Sequence, residues 1–171
     1  MRRSLIGISS LALGLVLAAA PANAQFFVAG GVTLPSGDFG DAYKAGWMAN
    51  AGVSVKAFAN GRANLWAEGL YGQNKVDGTS DAKSTIMGGL GSVTYNLTAG
   101  STTTPYLIGA VGYLSQKISF NNTNTTEGGI GFGGGAGVSF NKIYIEGRYM
   151  TASLFDDVQT SFLMATVGIL F

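Results

Sequence analysis

Glu146 and Arg148 stand two residues apart between Ile143 and Thr151, a spacing that turns both side chains to one side of an extended chain. Lys56 and Glu68, in two earlier extended stretches, turn the same way relative to their apolar neighbours. Two acids and two bases on one face could do one of two things. A carboxylate could act as general acid or base, or the four charges could pair and fix a polar interior. Without histidine there is no imidazole base, and without cysteine no thiolate nucleophile. A Ser-Lys or carboxylate mechanism stays formally open, yet no Ser and Lys share a recognisable motif. Because unpaired buried charge is costly, the neutral cluster of Lys56, Glu68, Glu146 and Arg148 reads as fold-specifying packing. No catalytic residue is assigned, and no enzyme is expected.

Two other patterns invite chemistry and do not support it. Gly129-Ile130-Gly131-Phe132-Gly133-Gly134-Gly135 looks superficially like a nucleotide loop, but no helix follows it and Gly-Lys-Ser/Thr is missing. The glycines Gly131, Gly133, Gly135 and Gly137 instead share the face of the charges and make room for large neighbours. The acidic residues Asp38, Asp41, Asp77, Asp81, Asp156 and Asp157 lack Asp-x-Asp-x-Asp spacing, so they read as solvated loop residues. No metal or other cofactor is expected. The sequons at Asn96, Asn121 and Asn124 read as chance matches.

The elements that must position these residues are strands. No stretch after residue 24 holds helical spacing for three turns, and none approaches 18 consecutive apolar residues. Eight alternating segments take their place: Phe26 to Thr33, Trp47 to Phe58, Ala63 to Lys75, Thr85 to Asn96, Pro105 to Lys117, Gly128 to Phe140, Ile143 to Thr151 and Gln159 to Phe171. Most match the roughly 9 to 11 residues with which a tilted strand crosses a bilayer. Residues 59–62, 97–104 and 141–142 form one set of connections, with Asn60-Gly61 and Asn141-Lys142 as tight-turn chemistry. Residues 34–46, 76–84, 118–127 and 152–158 form the other, mostly longer and richer in acids. Short periplasmic turns and longer outer loops predict a single all-β domain, an eight-stranded antiparallel up-and-down transmembrane β-barrel over residues 25–171.

Charge decides which face looks out. Ile143, Ile145, Gly147 and Tyr149 oppose Tyr144, Glu146, Arg148 and Met150. A basic residue facing lipid near the midplane costs roughly 2 to 4 kcal/mol, so Glu146 and Arg148 are expected inside. The second, third and last segments repeat the alternation. With that parity Tyr95, Tyr106, Phe140 and Phe171 fall on the outer face at the periplasmic ends, and Trp47, Tyr71 and Tyr149 toward the outer ends. These are the expected aromatic girdles.

Composition agrees. Charged residues are 11% of the 171, against roughly 25% in soluble domains, and there are 27 glycines. Arg2 and Arg3 precede an apolar run from Leu5 to Ala20 ending in Pro21-Ala22-Asn23-Ala24, the pattern of a signal peptide over residues 1–24 cleaved before Gln25. The remainder carries eight basic and nine acidic residues, which gives no reason to expect nucleic acid.

Taken together, the signal peptide, the eight segments, Pro35-Ser36-Gly37-Asp38-Phe39, the run from Pro105 to Tyr113 and the closing Phe162 to Phe171 resemble the small OmpA/OmpX-like outer-membrane β-barrel domain family. The resemblance spans residues 25–171, and its most specific element is the last strand. In that family a terminal aromatic such as Phe171 completes the signal read by the barrel-assembly machinery, so that machinery is an implied partner during biogenesis. Larger members carry a peptidoglycan-binding domain after the barrel; no counterpart follows here, and a cell-wall tether is not implied. The expected location is the bacterial outer membrane, with lipid and lipopolysaccharide as surroundings and a monomer as the unit. The expected role is non-enzymatic: surface loops for adhesion, envelope integrity or host contact. Two alternatives stay open, a narrow channel and a soluble lipocalin-like periplasmic barrel. A membrane-impermeant thiol reagent on intact cells should label a cysteine placed at Asp77 or Asn122 and spare one at Asn141; the opposite pattern inverts the topology.

Overall fold

The computed structural model describes residues 25–76, 78, 82–98, 101–120, 123–155 and 158–171. The expected signal peptide, Asp77, Asp81, Asn121, Asn122, Asp156 and Asp157 lie outside the described residues.

Alternating apolar and polar residues form strands because each strand can then bury one face. In chain order the elements are β1 (Phe26–Ser36), α1 (Asp38–Ala42), β2 (Gly46–Phe58), β3 (Ala63–Lys75), β4 (Lys83–Asn96), β5 (Thr103–Phe120), β6 (Thr123–Phe140), β7 (Ile143–Phe155) and β8 (Val158–Leu170). Every strand pairs antiparallel with the next, and β1 returns to β8 from Phe27↔Leu170 to Ser36↔Ser161. The fold is therefore a closed, eight-stranded up-and-down barrel.

Gln25, Phe171 and three connections lie at one mouth. Asn60 and Asn141, residues that tolerate a left-handed backbone, have φ of 55° in its tight turns. The other mouth carries α1 and the remaining connections. Here the strands run further than the alternation predicts. β5 and β6 each have 18 residues, and most of the expected loop at 118–127 is a ladder pairing Ile118 with Thr125 and Lys117 with Thr126. β-Branched Ile and Thr favour such pairing, whereas the Asn/Thr composition reads as a loop. The five-residue helix α1 is also absent from the expectation. Its Phe39 is buried against Tyr43 and Phe162, with ring centroids 4.5 Å and 6.4 Å away.

The lumen is divided. Toward the α1 mouth it is filled by Met48, Leu70, Ile86, Leu90, Leu114, Met150, Phe162 and Met164, with Phe39 above them. Toward the other mouth Phe27, Trp66, Tyr106, Ile108 and Tyr144 form a second cluster. Space for both comes from inward glycines. A Cβ on Gly135 would meet the Cα of Arg148 at 2.7 Å and collide with the carbonyl oxygen of Gly147. Outward Gly109 has nothing within 4 Å of such an atom. Gly135→Ala is accordingly expected to cost roughly 1 to 3 kcal/mol and Gly109→Ala to stay within about 0.5 kcal/mol, read as denaturant midpoints of the refolded barrel.

Candidate functional site

Three of the four charges picked out above meet between the two luminal clusters. Arg148 on β7 donates from Nη1 to Glu68 Oε1 on β3, across the barrel, at 2.7 Å. It donates from Nη2 and Nε to Glu146 Oε1, two residues away on its own strand, at 2.8 and 3.0 Å. The fourth luminal partner is Tyr106, whose hydroxyl donates to Glu146 Oε2 at 3.0 Å. Asn50 Nδ2 lies 3.5 Å from Glu68 Oε2. All five side chains are buried. A planar guanidinium with several donors suits this bridging role, where an ammonium would offer only a point charge.

Two expectations are corrected. Lys56 is exposed and takes no part in the cluster. The register of β2 on β3 shifts between Ser54 and Lys56, a bulge that lets the strand end turn Lys56 away from the lumen. Tyr106, expected on the outer girdle, is inside at 7% exposure. Its neighbours Leu107 and Ile108 are both apolar, and the one charge of β5, Lys117, stands at the opposite end of the strand. The decision comes from across the ladder: Tyr106 pairs with Gly137, where a side chain would overlap its ring, and its hydroxyl finds Glu146. The remaining girdle residues, Trp47, Tyr71, Tyr95, Phe140, Tyr149 and Phe171, are exposed on the outer face. Phe26, Phe58, Tyr113 and Phe132 join them there, and the alternation alone could have found Phe132.

The cluster forms one wall of a cavity of about 150 Å³ that Phe27, Trp66, Tyr144 and, toward the mouth opposite α1, Asn64 and Asn96 also line. On the α1 side a second polar layer closes the bore. Gln116 donates to Ser84 at 3.0 Å and accepts from Thr160 at 3.0 Å, and Asn74 donates to Thr33 at 2.8 Å and to the Lys44 carbonyl at 2.9 Å. Near that mouth, burial pushes the Tyr43 hydroxyl above the ordinary tyrosine range. Sequence reading missed this layer, since uncharged Gln, Thr and Ser carry no parity signal as strong as a charge. Chemically the ion cluster is engaged: Arg148 occupies one oxygen of each carboxylate, and Tyr106 the second oxygen of Glu146. Among the described residues no group of three or more His, Cys, Asp or Glu could hold a metal.

No protein-family model matches the sequence, and no curated protein does. Solved structures share the fold. Neisserial surface protein A superposes with a TM-score of 0.61 at 16% identity, over 86% of this chain and 97% of that one. Ail, the attachment invasion locus protein of Yersinia pestis, gives 0.55 at 14%, over 86% and 97%. The N-terminal β-barrel domain of Pseudomonas aeruginosa OprF gives 0.53 at 13%, over 87% and 98%. Low identity with nearly complete coverage means that strand number and closure are shared while side chains have diverged.

Removing Arg148 leaves Glu68 and Glu146 facing each other without a cation. Arg148→Met should therefore destabilise the barrel by about 3 to 5 kcal/mol in denaturant unfolding, whereas Lys56→Met should have little effect. Equal, small effects would place the Arg148 charge in water.

Proposed function

We propose that this chain is a monomeric, non-enzymatic outer-membrane barrel whose rigid wall holds the loops of the α1 mouth at the cell surface, for adhesion, envelope integrity or host contact. The observation that carries the reading is inverted polarity. Val28, Val111, Ile130, Phe132, Ile145 and Val167 are among the many large apolar side chains exposed around the wall, while Glu68, Glu146 and Arg148 are buried within it. Soluble monomers rarely expose contiguous apolar patches beyond a few hundred Å². A lipocalin-like carrier needs the reverse, an apolar lumen and a polar exterior. The fold shared with known outer-membrane barrels supports the same location.

The plugged bore favours display over conduction. Leu114, Met150, Phe162 and Met164 have 0–1% exposure and pack together in the bore on the α1 side of the ion cluster. Eight strands enclose only enough room for side chains. Surface contact is also the reading in keeping with Ail, whose name denotes attachment and invasion and which has been solved with the heparin analogue sucrose octasulfate.

Phe171 tests the membrane reading. Its ring stacks on Phe26 with centroids 4.6 Å apart, and its N–H donates to the Phe26 carbonyl at 2.8 Å, so it both closes the seam and sits on the outer face. Phe171→Asp should leave export intact and deplete the protein from washed outer membranes. Wild type found in the soluble periplasm, with the variant behaving identically, would replace this reading with the soluble barrel. Single-channel recording on the refolded protein should show no stepwise conductance.

A further inference from the structure

The side of the wall formed by β3, β4 and β5 differs from the rest. Near the α1 mouth each of these strands runs through the same outward series: a large aromatic or Met, a small or neutral polar residue, then a lysine. The series are Tyr71, Gln73, Lys75 on β3; Met87, Thr85, Lys83 on β4; and Tyr113, Ser115, Lys117 on β5. Registers bring the cations together. Lys75 pairs directly with Lys83, and Lys117 pairs with Thr85, diagonal to Lys83. No other strand has a Lys or Arg toward that mouth.

Like charges directly opposite in a ladder repel. Among the described residues no ion pair joins Lys75, Lys83 or Lys117 to a carboxylate. Three adjacent cations with no counter-charge among the described residues call for an external anion.

Height on the wall identifies where that anion lies. Tyr71 is at the girdle, 5.6 Å from the Trp47 ring, and its hydroxyl accepts from Gln73 at 2.8 Å. Lys75 follows four residues on, about 13 Å along the strand and about 10 Å along the membrane normal for a tilt near 40°. That is the headgroup layer just outside the hydrocarbon, within reach of a flexible lysine stem. The lysines share the outward parity of Tyr71, Met87 and Tyr113, so they point sideways into the leaflet. A ligand docking from above would meet the loops instead.

We propose that Lys75, Lys83 and Lys117 form a binding face for the phosphate groups of the phosphorylated glycolipid of the outer leaflet. The inference rests on the outer-membrane reading and adds to it a defined lipid contact on three strands. Strand spacing of about 4.8 Å spreads the three ammonium groups over about 10 Å, wide enough to engage more than one phosphate.

The test uses the full barrel refolded into neutral phosphatidylcholine nanodiscs and titrated with lipid A carrying both phosphates, or with the same lipid dephosphorylated. Wild type should bind the phosphorylated form and raise its thermal midpoint, with little response to the dephosphorylated one. Lys75→Gln/Lys83→Gln/Lys117→Gln should weaken that binding roughly 100-fold at low ionic strength while keeping the wild-type midpoint in lipid-free nanodiscs. Lys56→Gln/Arg62→Gln/Lys142→Gln, which removes as many charges from the opposite rim, should bind like wild type. Equal affinity of the two triple variants would overturn the proposal, as would indifference of the wild type to phosphorylation. Loss of stability of the first variant without lipid A would do so too, because it would mean the chain neutralises these lysines itself. Binding confined to a soluble polysulfated saccharide would also overturn it. Failure of the wild type to enter nanodiscs at all would instead remove the outer-membrane reading on which it rests.

Discussion

Pairing of β1 with β8 leaves the sheet without a free edge, and that closure is the condition for everything else. Each unpaired backbone group in lipid costs several kcal/mol, whereas a closed ladder bonds them around the whole circumference. Closure also separates two faces with a period of two. The outer face answers to the solvent around the barrel, and the inner face answers only to itself. Phe26 and Phe171, stacked at the seam, belong to the first; Glu68, Glu146 and Arg148 belong to the second.

The inner face solves two problems at different heights. At the level of Arg148 it must satisfy charge, and one guanidinium spanning two carboxylates, with Tyr106 completing Glu146, does so at 2.7 to 3.0 Å. Above that level it must fill space, and Leu114, Met150, Phe162 and Met164 do so beneath the lid residue Phe39. Glycines on β6 connect the two. Without side chains at Gly135 and Gly137, the Arg148 backbone and the Tyr106 ring can lie against the wall. Such a filled, cross-linked bore suits a scaffold better than a conduit.

The outer face is uneven. Apolar residues surround it, but cations gather on β3, β4 and β5 at one height. On the proposed outer-membrane reading, a charged sector gives the barrel a preferred azimuth toward its lipid neighbours, a property that a uniform girdle lacks.

The sequence by itself determined the features that depend on local alternation plus a large energy. Eight segments, their closure into one barrel and the inward parity of Glu68, Glu146 and Arg148 all follow, since a charge facing lipid is too costly to permit the opposite register. Where that energy is small or the decision lies on another strand, only the tertiary structure chose. Tyr106 stands among apolar residues on both faces of β5, and it turned inward because Gly137 left room and Glu146 offered an acceptor on the next two strands of the sheet. Lys56 left the lumen because a bulge near the end of β2 broke the alternation, and a bulge is a property of two paired strands rather than of one. Helix α1 and the extended hairpin of β5 and β6 have the same origin. Phe39 had a buried place only because β8 brought Phe162 beneath it, and the Thr-rich segment became a strand because β5 was there to pair with it.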